Sequence, residues 1–220
     1  MQPIRSTIRP VSSAEAVEIA LRDQIVSGEI PPGTRLPEEG LATSFGVTRP
    51  TAHEAVQALL RDGLLRRERN RTAYVPQLTT QDVRDLFIVR TALELHAITV
   101  LIERGVRPAA AERAHERLEG HSSELPWTEV VEAALGFHRG LIEAVESPRM
   151  TRTFASLEAE LKLCFGQVKQ ARGELPAHRT VAHGRILDAI VKRKTEQAVQ
   201  MMREHLEDGA RMTLEPSPDG

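Results

Sequence analysis

Between Gly28 and Gly63 the chain is divided by glycine and proline into short helical stretches, and this spacing restricts the fold more than any other part of the sequence. Pro31-Pro32-Gly33 imposes a turn, after which Leu41, Ala42 and Phe45 predict a short second helix ended by Gly46. Thr48 is placed to cap a third helix, which tolerates Pro50 in its first turn and buries Ala52, Ala55, Val56, Leu59 and Leu60 before Gly63. Upstream, Ser13 is placed to cap a helix with Val17, Ala20, Leu21 and Ile25 on one face, and Gly28 supplies its left-handed stop. Two helices joined by Gly46-Val47 form a helix-turn-helix whose second member presents Arg49, Thr51, His53 and Gln57 on its free face. Beyond Gly63, Leu64-Leu65 and Ala73-Tyr74-Val75 predict two short strands around the polar segment 66–72, a wing.

A helix of this kind inserts its first turn into the major groove of DNA, so charge bears on the reading. The net charge of −2 is no global signature of nucleic-acid binding, and any DNA-facing surface must be local. Residues 1–76 hold ten arginines against nine acidic residues. Within 61–71, however, Arg61, Arg66, Arg67, Arg69 and Arg71 face only Asp62 and Glu68. Such a tip can lie near phosphates or enter a narrow minor groove.

The run from Ile25 through Pro31-Pro32-Gly33-Thr34-Arg35-Leu36-Pro37-Glu38, followed by Leu41-Ala42 and Gly46-Val47-Thr48-Arg49, resembles the DNA-binding domain of the GntR family. The resemblance implies a winged helix-turn-helix over residues 1–76 that meets double-stranded operator DNA through Arg35, Thr48, Arg49, Thr51 and His53, with Arg69 and Arg71 in the wing. Arg49 either pairs with a guanine edge or holds a phosphate. Glu39 and His53 stand where the family usually has arginine, and Thr72 where it has glycine. Two positive charges are thereby lost, which implies weaker or differently specified binding.

After Pro76 the pattern is helical throughout. Thr79 or Thr80 with Asp82 can cap a long helix carrying Val83, Leu86, Phe87, Leu93, Ala97 and Val100, and further helices are predicted at 108–120, 127–146, 148–171, 176–193 and 195–213. The fold class is therefore mainly α: the winged head, then an antiparallel bundle of six helices over 77–214, with 215–220 a flexible tail. Aromatic residues make up only 3% of the chain, so the core must be aliphatic, which suits helix-on-helix packing.

Three histidines fall on inward stripes: His138 with Leu135, Leu141 and Ile142, His183 with Ile186, Leu187 and Ile190, and His205 with Met201, Met202 and Leu206. The last two helices turn near Lys194, and His183 and His205 lie eleven residues to either side, hence at equal height. Together with His138 they can form a cage for a divalent metal such as zinc or nickel, or they are hydrogen-bonded core residues. Arg90 also lies on an inward stripe, where it either pairs with Glu94 one turn on or faces a cavity and holds an effector carboxylate.

Arg90-Thr91-Ala92-Leu93-Glu94, Phe137-His138, the run from His183 to Ile190, and His205-Leu206 resemble the FCD ligand-binding domain of one GntR subfamily. In many of its members an aspartate one turn before the first histidine completes an Asp-plus-three-His metal site beside a small carboxylate effector. Here that position is Ala134, so only the histidine trio carries over. The implied protein is a homodimeric repressor released from a palindromic operator by its effector. Two other readings stand beside it: a metal-dependent enzyme using the three histidines, and a DNA-binding protein whose bundle serves only dimerisation. The single cysteine, Cys164, cannot form an internal disulfide, and with no signal-peptide pattern or long apolar run the expected location is the cytoplasm, away from membranes.

Overall fold

The computed structural model describes residues 12–69, 71–121, 125–172 and 177–215. The head begins with α1 (Ser13–Val26), which is capped by Ser12 rather than by Ser13: the Ser12 hydroxyl accepts from the Glu15 amide at 3.1 Å, while Ser13 is already helical. α2 (Glu38–Phe45) ends at Gly46, whose φ of 64° is the left-handed conformation that closes a helix without a Cβ penalty. α3 (Arg49–Arg61) starts at Thr48, whose hydroxyl accepts from the Thr51 amide. The two helices and their turn thus fold where the glycine spacing predicts.

The wing departs from expectation in its pairing. Its returning strand, β2 (Ala73–Tyr74), pairs antiparallel with β1 (Arg35–Leu36), matching Arg35 with Tyr74 and Leu36 with Ala73. Leu64-Leu65 does not form a strand with it; only Arg66 bridges Tyr74, through two 2.9 Å backbone bonds. The physical reason is burial: Leu64 and Leu65 point wholly into the core. Wing residue Asn70 and the expected tail beyond Glu215 lie outside the described residues.

The bundle comprises α4 (Thr80–Arg104), α5 (Ala109–His121), α6 (Trp127–Ala144), α7 (Pro148–Arg172), α8 (Ala177–Val191) and α9 (Thr195–Leu214). α4 opens with a capping box in which Thr79 and Asp82 satisfy each other's backbone amides, and it packs against α6, α7, α8 and α9. α5 and α6 approach most tightly at Gly140, where an added Cβ would lie 2.8 Å from both the Ala110 carbonyl carbon and the Ala111 Cα. Gly140→Ala is therefore expected to push the two helices apart and cost about 1–3 kcal/mol, measurable by urea unfolding; an unchanged midpoint would refute this close approach.

Head and bundle share one apolar core, which runs from Val17 and Leu21 of α1 through Leu64 and Leu65 to Phe154, Leu161 and Leu163 of α7. At the seam the Trp127 indole donates to the Val26 carbonyl at 3.0 Å, and Arg66 pairs with Glu160 at 2.9 Å. Among the described residues no helix is long and apolar enough to cross a membrane.

Candidate functional site

The residues singled out from the sequence as candidates for DNA contact are exposed or partly exposed on the head. Thr48, Arg49 and Thr51 form the first turn of α3, the two threonine hydroxyls 2.9 Å apart, with Arg49 exposed beside them. His53 follows one turn later, but its Nδ1 lies 3.0 Å from Glu38 Oε1, and the same oxygen accepts from Arg67 at 2.7 Å. Glu38 therefore ties the exposed face of α3 to the base of the wing. Partial burial pushes the Glu38 carboxyl up, yet Arg67 and His53 outweigh it and hold it below the usual range. Arg35 is exposed on β1, and Arg69 and Arg71 are exposed in the wing, with Arg71 3.9 Å from Glu68.

In the bundle the three histidines meet. α6, α8 and α9 deliver His138, His183 and His205, all buried, with their ligand nitrogens within 4.8 Å of one another. The Nε2 atoms of His183 and His205 are 3.1 Å apart, and those of His205 and His138 3.4 Å apart. Phe137 stacks on the His183 ring at 3.9 Å and sets its plane. On the far side of His138, Nδ1 donates to Glu94 Oε2 at 2.5 Å, and Glu94 Oε1 accepts from Arg90 Nε at 2.6 Å. Arg90 thus pairs with Glu94 along α4, as the intrahelical alternative required.

Charges follow from these contacts. Burial pushes the Glu94 carboxyl up, but the neighbouring His138 and Arg90 hold it below the ordinary range, so it is ionised with Arg90 as counter-charge. Burial and then the charge of Arg90 lower His138 to about 4, against the pull of Glu94. Burial likewise depresses His183 and His205, reinforced by Arg179 and the neighbouring rings. All three imidazoles are neutral at pH 7, the form in which a histidine offers a lone pair.

This donor set fits a divalent metal. Zinc–nitrogen bonds of about 2.0–2.1 Å at a tetrahedral angle place two ligand nitrogens about 3.3–3.4 Å apart, close to the 3.1 and 3.4 Å of the two pairs that meet at His205. The Glu94 carboxylate behind His138 fixes the tautomer that leaves Nε2 free. His183 Nδ1, in contrast, is buried without a partner among the described residues. Ala134, one turn before His138, is buried among Leu118, Val130 and Ala133 and offers no ligand atom.

Arg179 was missed in the sequence, although it stands one turn before His183 on the same face of α8. It is buried, donates to Asp208 at 2.9 Å and to the His205 carbonyl at 3.3 Å, and brings Nη2 within 3.3 Å of His205 Nε2. The same helical spacing that singled out His183 finds it. A cleft beside it is lined by Arg90 and Arg179 together with apolar residues of α4, α7 and α9. A separate groove of about 420 Å³, walled by His178, Arg185, Glu204 and Asp208, reaches His205 from solvent.

Residues 13–75 match the family described as bacterial regulatory proteins, gntR family, and residues 85–208 match the FCD domain. The chain is 24% identical over 192 residues to the HTH-type transcriptional regulator YdhC of Bacillus subtilis, covering 84% of each chain. Over 97 residues, 44% of this chain and 40% of the relative, it is 34% identical to the gluconate operon transcriptional repressor of the same species. Its structure resembles a GntR transcriptional regulator from Rhodococcus sp. RHA1 with a TM-score of 0.73 and 29% identity, covering 91% of this chain and 97% of the other. E. coli McbR/YncC shares the fold at a TM-score of 0.71, with 19% identity over 93% of this chain and 98% of that one.

Proposed function

The chain belongs to the GntR family of bacterial transcription regulators and carries an FCD domain, and from this premise we propose that it is a homodimeric repressor released from a palindromic operator when a small carboxylate binds beside the three-histidine centre. It is a regulator rather than an enzyme. The observation that carries the proposal is that the buried face of α3, through Ala52, Ala55 and Leu59, and the helices that carry the histidines, through Leu135, Ile186 and Met202, contribute to one apolar core, with Trp127 of α6 bonded to α1, so a rearrangement around the histidines has a mechanical path to the head. Similarity over 97 residues to a gluconate operon transcriptional repressor favours repression over activation.

In this reading Arg35, Thr48, Arg49, Thr51, His53, Arg69 and Arg71 contact DNA, and Glu38 orients His53 and Arg67 relative to each other. His138, His183 and His205 would hold zinc or nickel, which when bound supplies a Lewis-acidic anchor for an effector oxygen. Glu94 orients His138, and Arg90 neutralises Glu94. Residues 1–76 act as the reading head and 77–214 as the sensing and dimerising domain of a cytoplasmic protein.

Footprinting on the region upstream of the protein's own gene tests the proposal. Protection of two half-sites is expected, and no protected fragment would count strongly against it. Arg49→Ala is expected to weaken operator binding about 5- to 150-fold if the guanidinium reads a guanine, with tolerance spreading at one base position. A uniform loss across sequences with a shallower salt dependence would instead assign Arg49 to a phosphate.

A further inference from the structure

Among the described residues two buried side-chain nitrogens have no hydrogen-bond partner, and both are imidazole Nδ1 atoms, those of His115 and His183. A buried polar atom left unpaired is costly, and protein interiors pair nearly all of them. Both orphans belong to one helix contact. His115 comes from α5 and rests on Gly184 of α8, the residue that follows His183; an added Cβ there would stand 2.8 Å from His115 Nε2 and 3.2 Å from Cε1. The buried ring thus occupies room that exists only because position 184 has no side chain. An electrostatic effect crosses the contact as well: after burial, the charges of His138, Arg179 and His115 hold His183 low.

The surroundings of the two rings make them complementary. His115 Nε2 lies 3.7 Å from the Glu119 carboxylate one turn along α5, which favours a proton on Nε2 and leaves Nδ1 with its lone pair. His183 turns Nε2 toward His205 Nε2 at 3.1 Å, and to offer the lone pair of that atom to a metal it must carry its proton on Nδ1. One orphan is then an acceptor and the other a donor. For His138 the same selection is made by Glu94, which accepts from Nδ1. His183 has Phe137 stacked on its face, which sets the plane of the ring but not the position of its proton.

We propose that His115 is the positioning residue of His183: its Nδ1 accepts from His183 Nδ1 above Gly184, directly or through one trapped water, and so keeps the Nε2 lone pair of His183 turned to the centre. The inference rests on the metal reading proposed above and adds a residue outside the trio that orders it. A chain from Glu119 through His115 to His183 then parallels the pairing of Glu94 with His138. The two chains differ in one respect, since Glu119 is exposed to solvent whereas Glu94 is sealed inside with Arg90.

The test uses the full-length protein with isotopically labelled histidine nitrogens. Long-range proton–nitrogen correlation spectra report which ring nitrogen carries the proton, and competition with a chelator gives the affinity for zinc. In the metal-free wild type His183 is expected to be protonated on Nδ1. His115→Leu is expected to shift it toward the Nε2 tautomer and to weaken zinc binding about 10- to 100-fold. Gly184→Ala, which keeps both imidazoles but pushes the His115 ring off α8, is expected to do the same. His115→Gln, whose side-chain carbonyl can accept in place of Nδ1, is expected to restore part of both readouts. A His115 that served packing alone would lower the melting temperature and move neither. The proposal is overturned by His183 protonated on Nε2 in the wild type, or by an unchanged tautomer or unchanged zinc affinity in both His115→Leu and Gly184→Ala. If the wild type binds no zinc, the metal reading falls, and the tautomer of His183 alone decides the pairing.

Discussion

Glu94→Ala is expected to destabilise the protein by about 3–5 kcal/mol, because it strands the buried Arg90 guanidinium without a counter-charge. For a chain of this size that loss corresponds to a fall of roughly 6–20 °C in melting temperature. The same change removes the acceptor for His138 Nδ1 and with it the selection of one imidazole tautomer. Replacing both partners, Arg90→Leu with Glu94→Leu, is expected to recover part of the loss, since no charge is then left unpaired. A double variant no more stable than Glu94→Ala would show that Arg90 does not depend on Glu94.

Zinc or nickel is expected to raise the melting temperature of the protein. At a hundredfold excess over the dissociation constant the gain is about 2.7 kcal/mol, or roughly 5–11 °C. His138→Ala, His183→Ala and His205→Ala are each expected to abolish this gain, and Glu94→Gln to weaken metal affinity about 10- to 100-fold. The centre lacks a carboxylate at position 134 and so relies on three neutral imidazoles. Purified protein free of metal, with no thermal response to either ion, would mean that the trio is a hydrogen-bonded cluster.

The helices were legible because their ends carry strong local chemistry. Gly46 and Gly105 stop α2 and α4 in left-handed geometry, and Thr48 and Thr79 cap α3 and α4. The histidine centre was legible through simple arithmetic on a hairpin: equal distances from Lys194 correspond to a 3.1 Å approach of His183 and His205. What escaped was non-local. A two-residue strand such as β1 has no periodicity, and its partner β2 lies beyond two intervening helices. Glu38 looks like an ordinary first-turn acid until His53 and Arg67 are seen to converge on it. Arg179 shares the helical face of His183, but its burial depends on Asp208 and the bare backbone at Gly209, both on another helix, which admit it to the interior.

The seam between α1 and α7 bears on how such proteins diversify. At Gly166 an added Cβ would stand 3.1 Å from the Ile25 carbonyl, and Trp127 reaches the neighbouring Val26 carbonyl from the opposite helix. The carboxyl end of α1 is thus seated on a notch and a peg that both belong to the bundle. Recombination that brought in a foreign head at residue 77 would inherit a mismatched joint unless its first helix ended at the same length and angle. In the proposed role, new operator specificities are then more readily acquired by changes on the exposed face of α3 than by trading whole heads.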